Sequence, residues 1–391
     1  MKTVGILTVH HYHNYGSALQ AYATQFIFDK MGYETSIIDY RSPELFYAEV
    51  NCLNYDFPDD RELILLEKKK YSKIKYIILS VLNYFSIPVF LYKKMRLNIG
   101  VDLYKMWLDN LNLSRKYYNL KELYSNPPIY DIYVIGSDQV WNTFITYNNP
   151  AYFLSFVKND SIKIAFSTSI GIPFIPDNLL CDFKKGLCNF TGLLLRETEA
   201  VDYVESLGFS ADQVLDPTLM LSQDEWMNKS NRNLNIPFES YIFAYFLHPT
   251  DWCYRLLSVI QKKTSLPIVF IGCGKKISTN TYYTGPIEVS DFLTLISRST
   301  SVVTNSFHGM AFALNFNKLL FSTYRSDESD RSMNSRHRTL IDLFSIESNV
   351  YLEKSFDENK LSFEMNYEKI NSLLKKYREN TLRLLRNIID K

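Results

Sequence analysis

The sequence predicts an α/β protein with two Rossmann-like domains that face each other across a cleft. Two observations lead to this class. Short, almost continuous apolar runs alternate with segments of helical periodicity, which is typical of parallel strands that helices cover on both faces. The chain of 391 residues also exceeds the size at which one hydrophobic core keeps growing, so we expect two domains of roughly 150 to 200 residues.

The first domain is predicted to span residues 1–222. It opens with an apolar run at 3–9, a helical pattern at 18–31 that Gly32 ends, and a second strand at Glu34–Tyr40. Strand, loop, helix and strand in this order begin a Rossmann-like unit, whose ligands contact the loops at the carboxyl ends of the strands. Further elements are predicted in the order strand, strand, strand, helix and strand at 131–135, 162–167, 193–195, 201–207 and 213–216.

Residues 42–121 break this alternation with aromatic and lysine-rich stretches. We predict that they form an inserted helical region on the acceptor side of the first domain. Within it, the segment 74–92 is apolar and flanked by lysines, but Lys75, Asn83 and Pro88 interrupt it. A membrane-spanning helix, a helix buried in the protein and a helix lying at a bilayer surface are the alternatives for this segment.

The second domain is predicted at 241–355, after a polar, asparagine-rich linker at 223–240. Its strands are predicted at 241–246, 268–271, 301–303 and 318–323, and its helices at 252–262 and 289–298. The tail at 356–391 contains an amphipathic helix at Tyr367–Ile389. Two Rossmann-like domains joined by one linker are the layout of a GT-B-like enzyme, in which the active cleft lies between the domains.

The overall composition excludes several classes of partner. With 43 basic and 42 acidic residues, no net field attracts nucleic acid, so we predict no nucleic-acid partner and expect anion recognition to be local. The five cysteines have no CxxC, zinc-ribbon or disulfide spacing, and the N-terminus lacks the apolar core of a signal peptide. We therefore expect a cytoplasmic protein, with a peripheral contact at the inner membrane face if 74–92 lies on a bilayer.

The stretch SVVTNSFHGMAFAL at 301–314 predicts a buried strand, a tight turn and the start of a helix. Such a turn presents free backbone N–H groups and the positive end of the helix dipole, which together favour a phosphate. Asn305, Ser306 and His308 lie in this turn. His308 can bind a phosphate or act as a general acid, or it can merely cap its own turn. The helix dipole lowers the pKa of such a histidine, and a bound anion would raise it again.

Candidate residues in the first domain also follow predicted strands. Arg196 suits the carboxylate or phosphate of a small acid, and a surface ion pair with Glu197 or Glu199 is the alternative. After Gly136, four side chains can bind sugar hydroxyls or serve as turn and cap residues, namely Ser137, Asp138, Gln139 and Asn142. The loop before the first helix is predicted to bring three residues to the cleft, namely Asn14, Tyr15 and Gly16.

Two further clusters carry weaker signals. His10, His11 and His13 suggest a metal site, but no nearby Asp, Glu or Cys completes a usual ligand set, so we predict no metal. A basic run after the last strand includes Arg336. It adds charge to the anion site or forms a solvated loop, and the solvated loop is the default expectation.

Six motifs, taken together and in this order, resemble the polysaccharide pyruvyl transferase family. They are HNYGSALQAYA at 13–23, DIYVIGSDQVWN at 131–142, LLRE at 194–197, VLDPT at 214–218, TNSFHGMAF at 304–312 and NSRHRTLIDL at 334–343. The resemblance extends from about residue 3 to 344. Residues 42–121 carry no matching motif.

The resemblance implies a GT-B-like enzyme that moves the enolpyruvyl group of phosphoenolpyruvate onto two hydroxyls of a sugar, leaving a pyruvate ketal and phosphate. The acceptor would be a surface polysaccharide or its lipid-linked precursor. By resemblance, Arg196 and His308 bind the donor and His308 is the acid, while no cofactor beyond the donor substrate is implied. The alternatives are a GT-B glycosyltransferase that uses a nucleotide sugar and a glycan-binding protein without catalysis.

Overall fold

A computed structural model describes residues 1–10, 14–41, 107–158, 160–272, 277–278, 280–285, 287–324 and 331–390. Most of the predicted insertion, including the apolar segment 74–92, lies outside the described residues. His11 and His13 lie outside them as well.

In the described residues, the first sheet contains seven strands, all paired in parallel. In chain order they are β1 Thr3–Leu7, β2 Glu34–Tyr40, β3 Leu113–Tyr117, β4 Ile132–Ile135, β5 Ile162–Thr168, β6 Gly192–Leu195 and β7 Asp212–Gln213. Their spatial order is β3-β2-β1-β4-β5-β6-β7, which contains the strand order of a Rossmann sheet. Ile6 of β1 pairs with Ile37 on one side and Val134 on the other, which places the apolar runs at the centre of the sheet.

The helices of this half are α1 Tyr15–Lys30, α2 Leu120–Ser125, α3 Thr143–Thr146, α4 Asp177–Leu187, α5 Thr198–Ser206, α6 Pro217–Met220 and α7 Gln223–Met227. The helix α1 is buried on nearly every side from Tyr15 to Phe28. It contacts its own sheet and also α6 and α9, so elements from both halves cover it.

Within the part of the chain that the structure describes, the second sheet has five parallel strands, β8 Ile242–Tyr245, β9 Ile268–Phe270, β10 Thr281–Tyr283, β11 Ser301–Thr304 and β12 Leu319–Ser322. Their order is β10-β9-β8-β11-β12, the same winding as in the first sheet. Its helices are α8 Asp251–Thr264, α9 Val289–Arg298, α10 Phe307–Asn315, α11 Arg331–Phe344 and α12 Tyr367–Ile389, with 3₁₀ turns at Glu347–Asn349, Glu353–Ser355 and Glu358–Lys360. Another 3₁₀ turn, Pro150–Phe153, belongs to the first half.

One hydrophobic core runs from the first sheet to the second. Tyr15 of α1 stacks on Phe292 of α9 with ring centres 4.8 Å apart, and its hydroxyl donates to the Ile287 carbonyl at 3.0 Å. The tail helix α12 crosses back to the first half, where Arg378 Nε donates to the Leu219 carbonyl at 2.6 Å. The predicted two-domain, GT-B-like α/β fold is confirmed, and the two halves are firmly packed together.

Several elements differ from the prediction, and neither α4 nor β10 was predicted. β3 lies in the region predicted to be helical, since an edge strand of sequence LSRKY has little apolar pattern to reveal it. The helix α7 lies within the predicted linker, where Ser222 and Glu225 form a capping box. The helix α11 replaces the solvated loop expected around Arg336, because its Leu340, Ile341 and Phe344 pack into the core and carry the basic residues with them.

In the part of the chain that the structure describes, no helix combines the length and the apolar character that a membrane span requires.

Candidate active site between the two sheets

The carboxyl ends of four strands bring polar side chains to the boundary between the halves. In parallel sheets these ends lie at one edge, where the loops meet a ligand. In the first half, β4 leads to Asp138, β6 to Arg196, and the short β7 to Asp216. In the second half, β11 leads to His308 at the start of α10.

Asp216 lies at the centre of this cluster and its side chain is fully buried. One oxygen, Oδ1, caps α6 by accepting from the Thr218 backbone N–H at 2.9 Å and from its hydroxyl at 2.6 Å. The other, Oδ2, accepts from Arg196 Nη1 at 2.8 Å and from Ser137 Oγ at 2.9 Å. Burial raises the pKa of Asp216, but the neighbouring His308 and Arg196 and these hydrogen bonds outweigh it and hold the pKa at about 2.

Arg196 is only 2% exposed, and its guanidinium lies over the Phe307 ring at 4.6 Å from the centroid. Besides Asp216, it binds Glu197 through Nε at 3.1 Å. Its Nη2 is buried and has no hydrogen-bond partner among the described residues. The surface ion pair considered from the sequence is therefore replaced by a buried one, whereas Glu199 binds Arg338 of α11 at 2.7 Å.

His308 is 6% exposed and is the second residue of α10. Its Nε2 lies 3.9 Å from Asp216 Oδ2 and has no hydrogen-bond partner in the described part of the chain. A methyl group at Gly16 would come within 1.9 Å of His308 Nδ1, so the first turn of α1 covers the other side of the imidazole. Burial lowers the pKa of His308 below its ordinary value, and the charges of Asp216 and Asp138 only partly oppose this.

Asp138 is half-buried and has a backbone φ of 78°, in the left-handed region that non-glycine residues seldom adopt. Its carboxylate accepts from Ser17 Oγ at 2.5 Å and from the Gln139 N–H at 2.8 Å. Burial raises the pKa of Asp138, but the positive groups around it, with Arg196 the strongest, bring the pKa below its ordinary value.

Arg336 is buried on α11 and faces the same cluster. With the Gln139 amide turned so that its oxygen faces Arg336, that oxygen accepts from Nη2 at 3.0 Å and from Nη1 at 3.2 Å. A methyl group at Gly171 would come within 2.3 Å of the same amide. Arg336 thus adds charge near the predicted anion site. Of the two alternatives for the basic run, this is the one other than a solvated loop.

Several predicted binding residues have structural partners. Asn14, Asn142 and Ser306 cap α1, α3 and α10 through their side-chain oxygens. The Asn305 amide binds both backbone groups of Leu247, its Oδ1 accepting at 2.8 Å and its Nδ2 donating at 3.0 Å. The Tyr15 hydroxyl binds across the domain boundary, and burial raises its pKa to about 12. These geometries favour supporting roles for all five residues, while Gly16 contacts the imidazole directly.

Of the three clustered histidines, the structure describes His10. His10 is buried, with Nε2 3.0 Å from Asp39 Oδ1 and Nδ1 3.1 Å from the Thr8 carbonyl. Asp39 also pairs with Arg41. Within the described residues, no group of three or more His, Cys, Asp or Glu side chains is placed to hold a metal ion.

Sequence reasoning did not assign Asp216, Ser17 and the Ser169–Glu197 hydrogen bond to the site. The signal for Asp216 was the DPT sequence after a short strand, which reads equally as a helix cap. Ser17 had no signal, since a serine in the first turn of a helix is common.

Two Rossmann-like domains that meet around buried arginines and a histidine define a GT-B-like protein with a cluster of charged side chains at the domain boundary. The family model described as polysaccharide pyruvyl transferase matches residues 14–319, so the chain belongs to that family, as its motifs predicted. Membership implies a transferase that acts on polysaccharides.

Solved structures with the same overall architecture are distant from this chain. MurG of Acinetobacter baumannii is 9% identical, with a TM-score of 0.42 and full coverage of both chains. A UDP-GlcNAc 2-epimerase of Methanocaldococcus jannaschii in complex with UDP-GlcNAc and UDP is 12% identical, with a TM-score of 0.49 and full coverage of both chains. These similarities are too low to bear on function. A sequence search of curated proteins finds no match.

Proposed function

We propose that the protein transfers the enolpyruvyl group of phosphoenolpyruvate to two hydroxyls of a sugar, forming a cyclic pyruvate ketal and phosphate. The observation that carries this proposal is the pair of buried nitrogens, Arg196 Nη2 and His308 Nε2, which come from opposite halves and lack hydrogen-bond partners among the described residues. Buried polar groups of this kind are costly unless a ligand binds them. A small acid with a phosphate and a carboxylate offers a hydrogen-bond acceptor to each of these two nitrogens.

The reaction balances without an outside reductant or oxidant. One sugar hydroxyl adds to the central carbon of the donor as a proton adds to the vinyl CH₂, which becomes the methyl group. The C–O bond to phosphate then breaks, and the second hydroxyl adds to the same carbon. Of the two hydroxyl protons, one restores the acid that protonated the vinyl carbon, and the other leaves with the phosphate.

His308 is the proposed acid. In the free protein burial holds its pKa below the ordinary value of a histidine, so the imidazole is mostly neutral near pH 7. A bound phosphate and carboxylate would favour the imidazolium and raise the pKa, loading the proton only when the donor is present. The Nε2 atom, which faces Asp216, is the proposed site of that proton.

Asp138 is the proposed base for the sugar hydroxyls. It is more accessible than Asp216 and Glu197, and its lowered pKa keeps it ionised at neutral pH. Its strained backbone is held by the Ser17 and Gln139 hydrogen bonds. Because Asp138 belongs to the first half, the sugar acceptor is proposed to bind on that side of the site.

The charges of Arg196, Arg336 and protonated His308, with the N-terminus of α10, supply the positive groups that the departing phosphate needs, so we propose no cofactor beyond the donor substrate. We propose a saccharide or lipid-linked saccharide as acceptor and the cytoplasm as compartment. Cys181, Cys188 and Cys253 are free, which fits a reducing setting. A peripheral contact with the inner membrane face would serve a lipid-linked acceptor.

The test incubates the protein with phosphoenolpyruvate and a panel of pyranose oligosaccharides, free and lipid-linked. We expect release of phosphate in step with a new ketal methyl signal by NMR, and none of either with His308→Gln. Arg232→Ala, at an exposed arginine outside the six motifs, serves as the surface control. Absence of phosphate release with every acceptor, together with no binding of phosphoenolpyruvate, contradicts the proposal.

Two outcomes would favour the other functions. A rise in melting temperature with UDP, but none with phosphoenolpyruvate, would favour a nucleotide-sugar glycosyltransferase. Binding of saccharides without turnover of either donor would favour a glycan-binding protein.

A further inference from the structure

Asp216 is the group at which the two halves of the site meet. Its Oδ2 atom contacts Arg196 Nη1 and Ser137 Oγ from the first half, and it is the carboxylate oxygen nearest to His308 Nε2 from the second. We infer that Asp216 is a positioning residue that sets Arg196 and His308 relative to each other across the domain boundary, so that both face one donor molecule. This inference rests on the proposed function for its donor.

The carboxylate of Asp216 is fixed from every side. Oδ1 is held by the Thr218 N–H and hydroxyl, so the group cannot rotate without breaking the cap of α6. Pro217 follows directly and restricts the backbone. These bonds to Thr218 fix the position of Oδ2, and the hydrogen bond from Arg196 Nη1 in turn fixes the position of the guanidinium. A cap alone would need only Oδ1.

The other two carboxylates of the site are those of Glu197 and Asp138. Neither of them combines a hydrogen bond to Arg196 with a short distance to His308. Glu197 accepts from Arg196 Nε and from the Ser169 hydroxyl, and both of these partners belong to the first half. Asp138 acts on His308 through charge, but its hydrogen bonds go to Ser17 and Gln139. Asp216 combines a direct bond to the arginine with a short distance to the imidazole.

Among the described residues, the charged groups that act most strongly on His308 are the carboxylates of Asp216 and Asp138 and the guanidiniums of Arg196 and Arg336. The first turn of α1, at Gly16, covers the Nδ1 side. The carboxylates favour the imidazolium and the guanidiniums oppose it. Removing the charge of Asp216 leaves the two guanidiniums opposed by Asp138 alone, so the protonation of His308 should require a lower pH.

The substitution Asp216→Asn tests the inference, because an amide keeps the size and can keep the cap through its oxygen. It removes the charge and places an NH₂ against Arg196 Nη1. Glu197→Gln is the matched control, since it also removes a carboxylate partner of Arg196. In the free protein, the His308 ring signals, assigned by their loss in His308→Gln, are followed by NMR over a pH titration.

We expect the His308 titration midpoint in Asp216→Asn to fall by about one pH unit, and the midpoint in Glu197→Gln to stay near that of the wild type. The KM for phosphoenolpyruvate should rise in Asp216→Asn, and the pH optimum of kcat should move to lower pH. Asp216→Glu, which restores the charge at a longer reach, should return the midpoint towards the wild type while KM stays raised. If Asp216→Asn does not fold, Asp216→Glu alone decides, because a wild-type KM in that variant overturns the inference.

An unchanged His308 midpoint in Asp216→Asn overturns the positioning role, even if the wild type forms the ketal. A lowered midpoint in a protein that neither binds nor turns over phosphoenolpyruvate supports the role of Asp216 and overturns the proposed donor instead. The two failures are therefore distinguishable, because the ring titration requires no substrate.

Discussion

The two halves of the molecule contribute opposite charges to the site. The first half supplies Asp138, Glu197 and Asp216, and its Arg196 is already paired with two of these acids. The second half supplies His308, Arg336 and the N-terminus of α10. Among the described residues, the second half therefore brings mainly positive groups to the domain boundary, whereas the first half brings most of the carboxylates.

The largest expected effect follows substitution of His308, the side chain of the second half that lies nearest to Asp216. His308→Gln should lower kcat by about 10² to 10⁴-fold, because it deletes the proton donor while keeping a polar side chain. Steady-state phosphate release measures it. His248→Gln, at an exposed histidine, is the control and should leave kcat unchanged. Wild-type turnover by His308→Gln would exclude His308 as the acid.

The two arginines should behave differently if the comparison holds. Arg196→Ala leaves Asp216 and Glu197 buried without their partner, and we expect the free energy of unfolding to fall by about 3–5 kcal/mol. Arg336→Ala should cost less stability but weaken binding of phosphoenolpyruvate by about tenfold, which calorimetry measures. Equal losses of stability in the two variants would break the distinction between the halves.

The contact between α1 and His308 offers a steric test. In Gly16→Ala the new methyl group would overlap the imidazole, so we expect a loss of about 1–3 kcal/mol of stability together with a fall in kcat. Ala21→Gly, in the middle of α1, is the control, because it weakens the same helix by about 1 kcal/mol without contacting His308. Chemical denaturation and kinetics on both variants separate the two effects.

The smallest expected effect is a difference between two pH profiles. The proposed acid acts when protonated, and burial lowers the pKa of His308 in the free protein, so kcat/KM should fall as pH rises through that lowered pKa. The bound donor raises the pKa, so kcat should fall at a pH about one unit higher. Profiles of both parameters measured between pH 4 and 9 as an approximate range check this. Coincident profiles would contradict proton loading by the donor.

Much of the fold was predictable because both sheets are parallel and buried. Such strands are short apolar runs, so β2 and the tail helix α12 agree with their predicted ranges from end to end. β3 was missed because an edge strand needs no apolar face. The helix α11 was missed because its apolar residues follow a run of basic ones, which is typical of loops.

The sequence singled out His308 and Arg196 because each follows a strand end, and the structure brings both side chains close to Asp216 at the domain boundary. Asp138 and Asn142 fit a turn or cap role equally well, and the structure uses Asn142 as a cap. Asn14, which was predicted to reach the cleft, also serves as a cap. Asp216 could not be assigned, because its cap through Oδ1 and its contacts through Oδ2 belong to the same side chain. Only the folded arrangement separates these two uses.

The most direct test of the central claim is a crystal structure of the protein with phosphoenolpyruvate. We expect one donor molecule at the domain boundary, with its oxygens in hydrogen-bond contact with Arg196 Nη2 and His308 Nε2. The His308→Gln variant, soaked in parallel, should show weaker or displaced density. A donor bound away from both nitrogens in the wild type would contradict the account.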